Sequence, residues 1–286
     1  MENMTLRDRL PQVSNAFYEG RVSSLKEQIE WCFMHRVGPG ALPGKPASGT
    51  RTIQAIVSPH AGYIYSGPVA AHGFLELSKE PQPEIIVLIG PNHTGNGAGV
   101  SAWGGGDWET PFGKIPVERS ISKSLSCGGA AEVDEEAHLY EHSIEVQLPF
   151  LQHIYEGGFK IAPVCMMLQD PGTSVELGVC IAEALKGKSS LIVASTDFSH
   201  YVTYETAYRM DGMVAEAILK MDAPAVGKIV REKRISMCGP GPVMAAIAAS
   251  LELGAKSCRK LCYATSGDTS GDKAEVVGYG SFCISR

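Results

Sequence analysis

The chain has 286 residues, 44% of them hydrophobic, and a formal net charge of −6, with no basic run longer than REKR at 231–234. Its size allows a large buried core, while the charge leaves no footprint for a phosphate backbone, so nucleic acid is not expected as a partner. A membrane is not expected either: apolar runs such as IIVLIG (85–90) and MAAIAASLEL (244–253) fall short of the ~20 residues of a span, and the charged start MENMTLRDRLPQ does not read as a signal peptide, which points to a cytoplasmic protein.

RVSSLKEQIEWCFMHR (21–36) has the spacing of an amphipathic helix, capped by Ser23 or Ser24, with Leu25, Ile29, Cys32 and Phe33 as its apolar stripe. A loop rich in Gly and Pro follows and reads as a surface excursion. From there strands and helices alternate: strand 52–58, helix 67–79, and strand 84–90, apolar on both faces as in a covered parallel sheet. Turn signals at GGGDW and TPFGK make 99–118 an excursion with short antiparallel strands. Helix 141–155, strand 160–168, helix 173–187 and strand 190–196 resume the pattern. Three helices (204–221, 222–233, 240–254) and two strands (258–265, 274–284) close the chain. The alternation implies an α/β fold with a mainly parallel or mixed central sheet flanked by helices, and residues 1–286 read as a single domain.

The eight cysteines form no C-x-x-C pair, which excludes a zinc ribbon and a thioredoxin-like motif and leaves most of them as small core residues. Cys258 and Cys262 share parity in a strand and are expected on one side of it.

Ligands of open α/β sheets bind beyond the carboxyl ends of the strands. SPHAGY delivers His60 to such an end, GPNHTG delivers Asn92 and His93, and STDFSHY delivers Asp197 and His200. His35, His72, His138 and His153 lack that placement and read as packing or surface residues. Cys238 precedes Gly-Pro-Gly-Pro and a helix, where the dipole and free N–H groups favour a thiolate, either a soft metal ligand or a nucleophile. In EHSIE, His142 and Glu145 have the i,i+3 spacing of one helix face, with Glu141 beside them. Spacing alone favours a solvated helix start there. Tyr63, Tyr65 and Trp108 are candidates to line a pocket.

SPHAGYIYSGPVAA, GPNHTG, TPFG, EHSIEVQLPFLQ, STDFSHY and CGPGPV, in this order between about 57 and 243, together resemble the Memo family, whose archaeal and bacterial members are called AmmeMemoRadiSam system protein B. The resemblance implies a fold similar to the class III (LigB-like) extradiol dioxygenases, which hold non-haem Fe(II) with two histidines and a carboxylate. Carried over, His60, His93 and Cys238 are the metal positions, Asp197 and His200 the neighbouring site residues with His200 in the acid/base role, and His142 a pocket residue. Cysteine in place of the carboxylate makes the set softer, suited to Fe(II) or Cu with Zn as a competitor, and open to oxidation.

Three functions follow as alternatives. One is a metal-dependent oxidoreductase acting on a small organic substrate with O₂, His200 moving protons and Asp197 orienting it. Another is a module that keeps the fold without its chemistry and binds a peptide or anionic ligand. The third is a thiol hydrolase built on Cys238, His200 and Asp197.

Overall fold

The computed structural model describes residues 6–286. In chain order its elements are α1 (Val22–Met34), β1 (Ile53–Ser58), α2 (Tyr63–Ser78), β2 (Ile85–Pro91), β3 (Val100–Ala102), β4 (Trp108–Thr110), β5 (Gly113–Ile115), α3 (Arg119–Cys127), β6 (Glu132–Val133) and α4 (Glu136–Leu139). After a 3-10 turn at Glu145–Gln147 come α5 (Leu148–Tyr155), β7 (Lys160–Met166), α6 (Pro171–Leu185), β8 (Ser190–Ser195), α7 (Tyr204–Leu219), α8 (Ala223–Lys233), α9 (Pro240–Glu252), β9 (Ser257–Thr265), α10 (Ser266–Ser270) and β10 (Gly278–Ser285).

Eight strands form one mixed sheet in the order β6-β3-β7-β2-β8-β1-β10-β9. Its centre, β7-β2-β8-β1, is parallel, and helical crossovers join β1 to β2 through α2 and β7 to β8 through α6. β10 runs antiparallel to β1 and closes that side with β9. Side chains alternate between the two faces. On β8, Ile192 and Ala194 enter the core beneath α6 and α9, whereas Leu191 and Val193 enter the core that holds α1, α2 and α5. Helices on both faces therefore require the uninterrupted apolar runs seen in β2 and β8. No helix among the described residues is long and apolar enough to cross a membrane.

Most expected elements stand within a few residues of their places, and β4 and β5 pair as the expected hairpin. α3, β6 and α4 were not foreseen. The stripe Leu25, Ile29, Cys32 and Phe33 is buried, but the helix is entered from Arg21 with no side-chain cap. α2 begins at Tyr63, four residues earlier than expected and directly after the His60 loop.

Two corrections follow from backbone detail. Residues 141–144 are not helical, so the expected helix 141–155 shortens to the 3-10 turn and α5. The Glu141 carboxylate takes the N–H groups of His142 and Ser143, competing with a helical ladder. In β9, a register shift opposite Ser281/Phe282 breaks the two-residue alternation. Cys258 therefore packs with the α6 and α9 core and Cys262 with a separate small cluster around Tyr279. Both are free thiols.

Candidate metal centre

Three histidines come together at the carboxyl ends of the parallel strands. His60 follows β1, His93 follows β2, and His142 arrives from the non-helical segment before α5. Their potential ligand atoms all lie within 4.8 Å of one another. The His93 and His142 rings stack at 4.6 Å, and each meets the His60 ring edge-on.

The hydrogen-bond network decides which ring nitrogens are free. Ser195, the last residue of β8, donates its only hydroxyl proton to the Ser143 carbonyl (2.7 Å) and accepts from Gln147 Nε2 (2.9 Å). The contact of 2.8 Å between Ser195 Oγ and His60 Nδ1 is then a bond donated by His60. His93 Nδ1 likewise donates to Glu141 Oε1 at 2.9 Å, and the other oxygen of Glu141 accepts the His93 backbone N–H. In its neutral form each ring therefore carries its proton on Nδ1 and leaves Nε2 bare, the tautomer that a metal ligand needs.

The electrostatics agree. Burial, followed by the charges of His142 and His93, pushes His60 well below the usual histidine range. Burial also lowers His142, to about 4. Both rings are neutral at physiological pH, with lone pairs available. Burial opposes ionisation of Glu141, but the bond and charge of His93 outweigh it and bring the carboxyl down to about 2. His93 is raised in turn, because the Glu141 bond and charge outweigh its desolvation. Two neutral imidazoles, with a third that is paired to a buried carboxylate and from which a metal can displace a proton, make a donor set that fits a divalent transition metal.

Cys238, just before α9, places Sγ 3.2 Å from His60 Nε2. It stands beside the histidine trio and is not a member of the mutually close group. The Asp197 backbone N–H donates to this sulfur at 3.1 Å, yet burial outweighs that bond and holds the thiol well above its ordinary value. The thiolate expected from the helix start does not form by itself, because desolvation exceeds what one N–H and a helix terminus supply. An ion bound at His60 would reverse this balance.

Asp197 is buried and accepts the His60 N–H at 2.8 Å. Burial raises its carboxyl to about 6 against the opposing effect of that bond. It orients the His60 backbone and makes no hydrogen bond with His200. His200 sits at the rim, its Nδ1 2.8 Å from the Ser236 carbonyl. Among the pocket candidates, Tyr65 is partly exposed, whereas Tyr63 is buried and donates to the Val146 carbonyl. Trp108 lies in the core against the Arg9 guanidinium and does not reach the pocket.

Sequence reasoning missed the role of Glu141, which it read as solvated, and missed Ser195 and Gln147 altogether. The available signal was Ser195 itself, a buried polar residue directly after the apolar run Leu191–Ala194. Glu145, expected to share a helix face with His142, instead binds Arg9 at 2.8 Å and takes the N–H groups of Gln12 and Val13 and the Tyr18 hydroxyl. This ties the N-terminal segment across the site, so that Phe17 lies 4.8 Å from the His142 ring.

The model of the Memo-like protein family matches residues 9–283. A MEMO1 family protein of Thermotoga neapolitana is 48% identical over 97% of this chain and 99% of its own length, and one of Sulfurisphaera tokodaii is 44% identical over 95% and 97%. The chain belongs to the Memo family. Among solved structures, an uncharacterized protein of Escherichia coli K12 aligns with a TM-score of 0.55 at 14% identity, covering 80% of this Memo chain and 99% of that one, a likeness of fold alone. In this Memo protein the strand-end motifs and the histidine trio coincide.

Proposed function

We propose that this Memo protein binds a redox-active transition metal, Fe(II) or Cu with Zn as a competitor, and uses it to oxidise a small organic substrate with O₂. One observation carries the reading: His60 and His93 each hold the proton of the neutral ring on Nδ1, leaving Nε2 for a ligand, beside His142 at the strand ends. His60 and His93 would hold the ion, His142 is the arm suggested by proximity, and Cys238 is the arm suggested by the family motif. A bound metal would supply Lewis acidity and electron exchange. Glu141 and Ser195 keep the two imidazoles in place and in the required tautomer. Asp197 fixes the His60 main chain, and His200 at the rim is positioned to exchange protons with a substrate above the histidines.

The alternative hydrolase reading is less well supported. Cys238 faces His60 and not His200, and its thiol is held protonated by burial. The non-catalytic module that binds a peptide or anionic ligand predicts ligand affinity that survives chelation.

The test is metal content after anaerobic purification without chelator, for the parent and for His60→Ala, His93→Ala, His142→Ala and Cys238→Ser. Near-stoichiometric iron or copper in the parent, lost in the first two variants, supports the reading. The last two variants distinguish the third ligand. A parent that takes up no metal even on reconstitution overturns the proposal.

A further inference from the structure

Behind the site, a file of aromatic rings leads from Asp197 to the surface. Phe198, fully buried, follows Asp197, and its ring lies 6.1 Å from that of Tyr263. Tyr263 meets Tyr208 at 4.9 Å, and Tyr208 meets Tyr204 at 4.6 Å. Each phenol in the file donates to a carboxylate. Tyr263 donates to Asp211 at 2.5 Å, while Tyr208 and Tyr204 donate to the two oxygens of Asp268 at 3.2 and 3.1 Å. Asp211 is completely buried, and its second oxygen accepts the N–H and hydroxyl of Ser199, midway between Asp197 and His200.

Packing alone does not account for this arrangement, since phenylalanines would fill the space without the desolvation of a buried carboxylate. The backbone makes room for the pair as well. A Cβ on Gly278 would come within 2.1 Å of Asp211 Oδ2 and 2.7 Å of the Tyr263 hydroxyl. Gly278 is in turn bonded through its backbone to Phe198 and Ser199, so the Tyr263–Asp211 pair is held directly behind the loop that carries Asp197 and His200. At the far end, Tyr208 is 40% exposed.

We propose that Tyr263 and Tyr208 form a relay that conducts oxidising equivalents away from the metal centre to the protein surface. The inference rests on the redox reading of that centre. The oxidant is hydrogen peroxide: with a reduced metal held by the histidines, it would take two electrons from the centre and two protons from solvent, its O–O bond breaking to leave two molecules of water. Tyr263 returns one electron to the oxidised centre through the Phe198 contact and passes its phenolic proton to Asp211, becoming a neutral phenoxyl radical. Tyr208 then reduces Tyr263, which recovers its proton from Asp211, and the proton of Tyr208 passes to Asp268. The hole ends on Tyr208, where a thiol in solution supplies an electron and a proton and becomes a thiyl radical, two of which couple to a disulfide, while Asp268 returns the proton it took to solvent. A second passage restores the metal fully. Carboxylate partners matter because loss of an electron makes a phenol strongly acidic, and the transfer is easy only where the proton has an acceptor in contact.

The experiment uses the iron-loaded full chain, its metal content measured on the same sample, mixed with hydrogen peroxide and freeze-quenched for electron paramagnetic resonance. Ring-deuterated tyrosine identifies the radical. The expected result is a tyrosyl signal in the parent that is abolished in Tyr263→Phe, is confined to a buried, thiol-insensitive radical in Tyr208→Phe, and is unchanged in Tyr140→Phe, which lies outside the file. Melting curves establish that the variants are folded. A metal-loaded parent with no tyrosyl signal, or a signal indifferent to Tyr263→Phe, overturns the relay and leaves the metal centre standing. A parent that binds no metal overturns both, and the metal analysis shows which has failed.

Discussion

Glu141 holds His93 at two points, its carboxylate accepting both the ring Nδ1–H (2.9 Å) and the backbone N–H (2.6 Å). The carboxylate also caps the His142 and Ser143 N–H groups, so one buried side chain sets the position of two histidines. Glu141→Gln keeps the shape but removes the charge that favours the Nδ1–H tautomer. Metal affinity is expected to fall by about 10–100-fold, read by competition with a chelator of known affinity. Unchanged affinity would remove Glu141 from the account of the centre.

Cys238 is expected to be a slow nucleophile in metal-free protein at neutral pH, because burial keeps its thiol protonated. Cys127 is the exposed comparison. Timed iodoacetamide labelling with peptide mapping should show Cys127 modified well before Cys238. The reverse order would revive the hydrolase reading.

Arg9 and Glu145 are buried partners, 1% and 0% exposed at their side chains, and they fasten the N-terminal segment beside the site. Glu145→Ala leaves the Arg9 guanidinium in the core without its counter-charge and also leaves the Tyr18 hydroxyl unpaired. The expected loss is about 3–5 kcal/mol in urea unfolding. Phe17 loses its anchorage over His142 in the same variant, so metal affinity should fall along with stability.

His138 provides the acid sensitivity most readily isolated from the site. It is buried between Trp103 and Trp108, and burial, aided by the Arg9 charge, lowers it to about 3. A histidine depressed in the folded state binds its proton first in the unfolded chain, so stability is full above the unfolded value of about 6.5 and declines as pH falls toward 3. Between pH 7 and pH 5 this group alone is expected to remove about 2 kcal/mol. Urea titrations at the two pH values should show a smaller decline in His138→Gln than in the parent. Equal declines would place the acid sensitivity elsewhere.

The alternation of strands and helices, the two-sided burial of β2 and β8, and the delivery of His60, His93, Asp197 and His200 to one rim were all legible in the chain. These features depend on local periodicity and on where a strand stops, and a short window of residues contains both. The family motifs carried Cys238 and His142 to the same neighbourhood. The sequence by itself therefore determined the fold class and the edge of the sheet on which chemistry can occur.

Tertiary structure decided the rest. His142 joins the trio because residues 141–144 leave the helix, and they do so where Glu141 finds partners in His93 and where Glu145 finds Arg9, 136 residues away along the chain. The protonation of Cys238 follows from its desolvation by the segments packed around it, and the tautomer of His60 from Ser195 and Gln147, which approach from other elements. Cys258 and Cys262 part company at a bulge that exists only in the pairing of β9 with β10. Each of these outcomes turns on desolvation or on a hydrogen bond between distant segments, and neither has a periodicity that a single stretch of sequence can display.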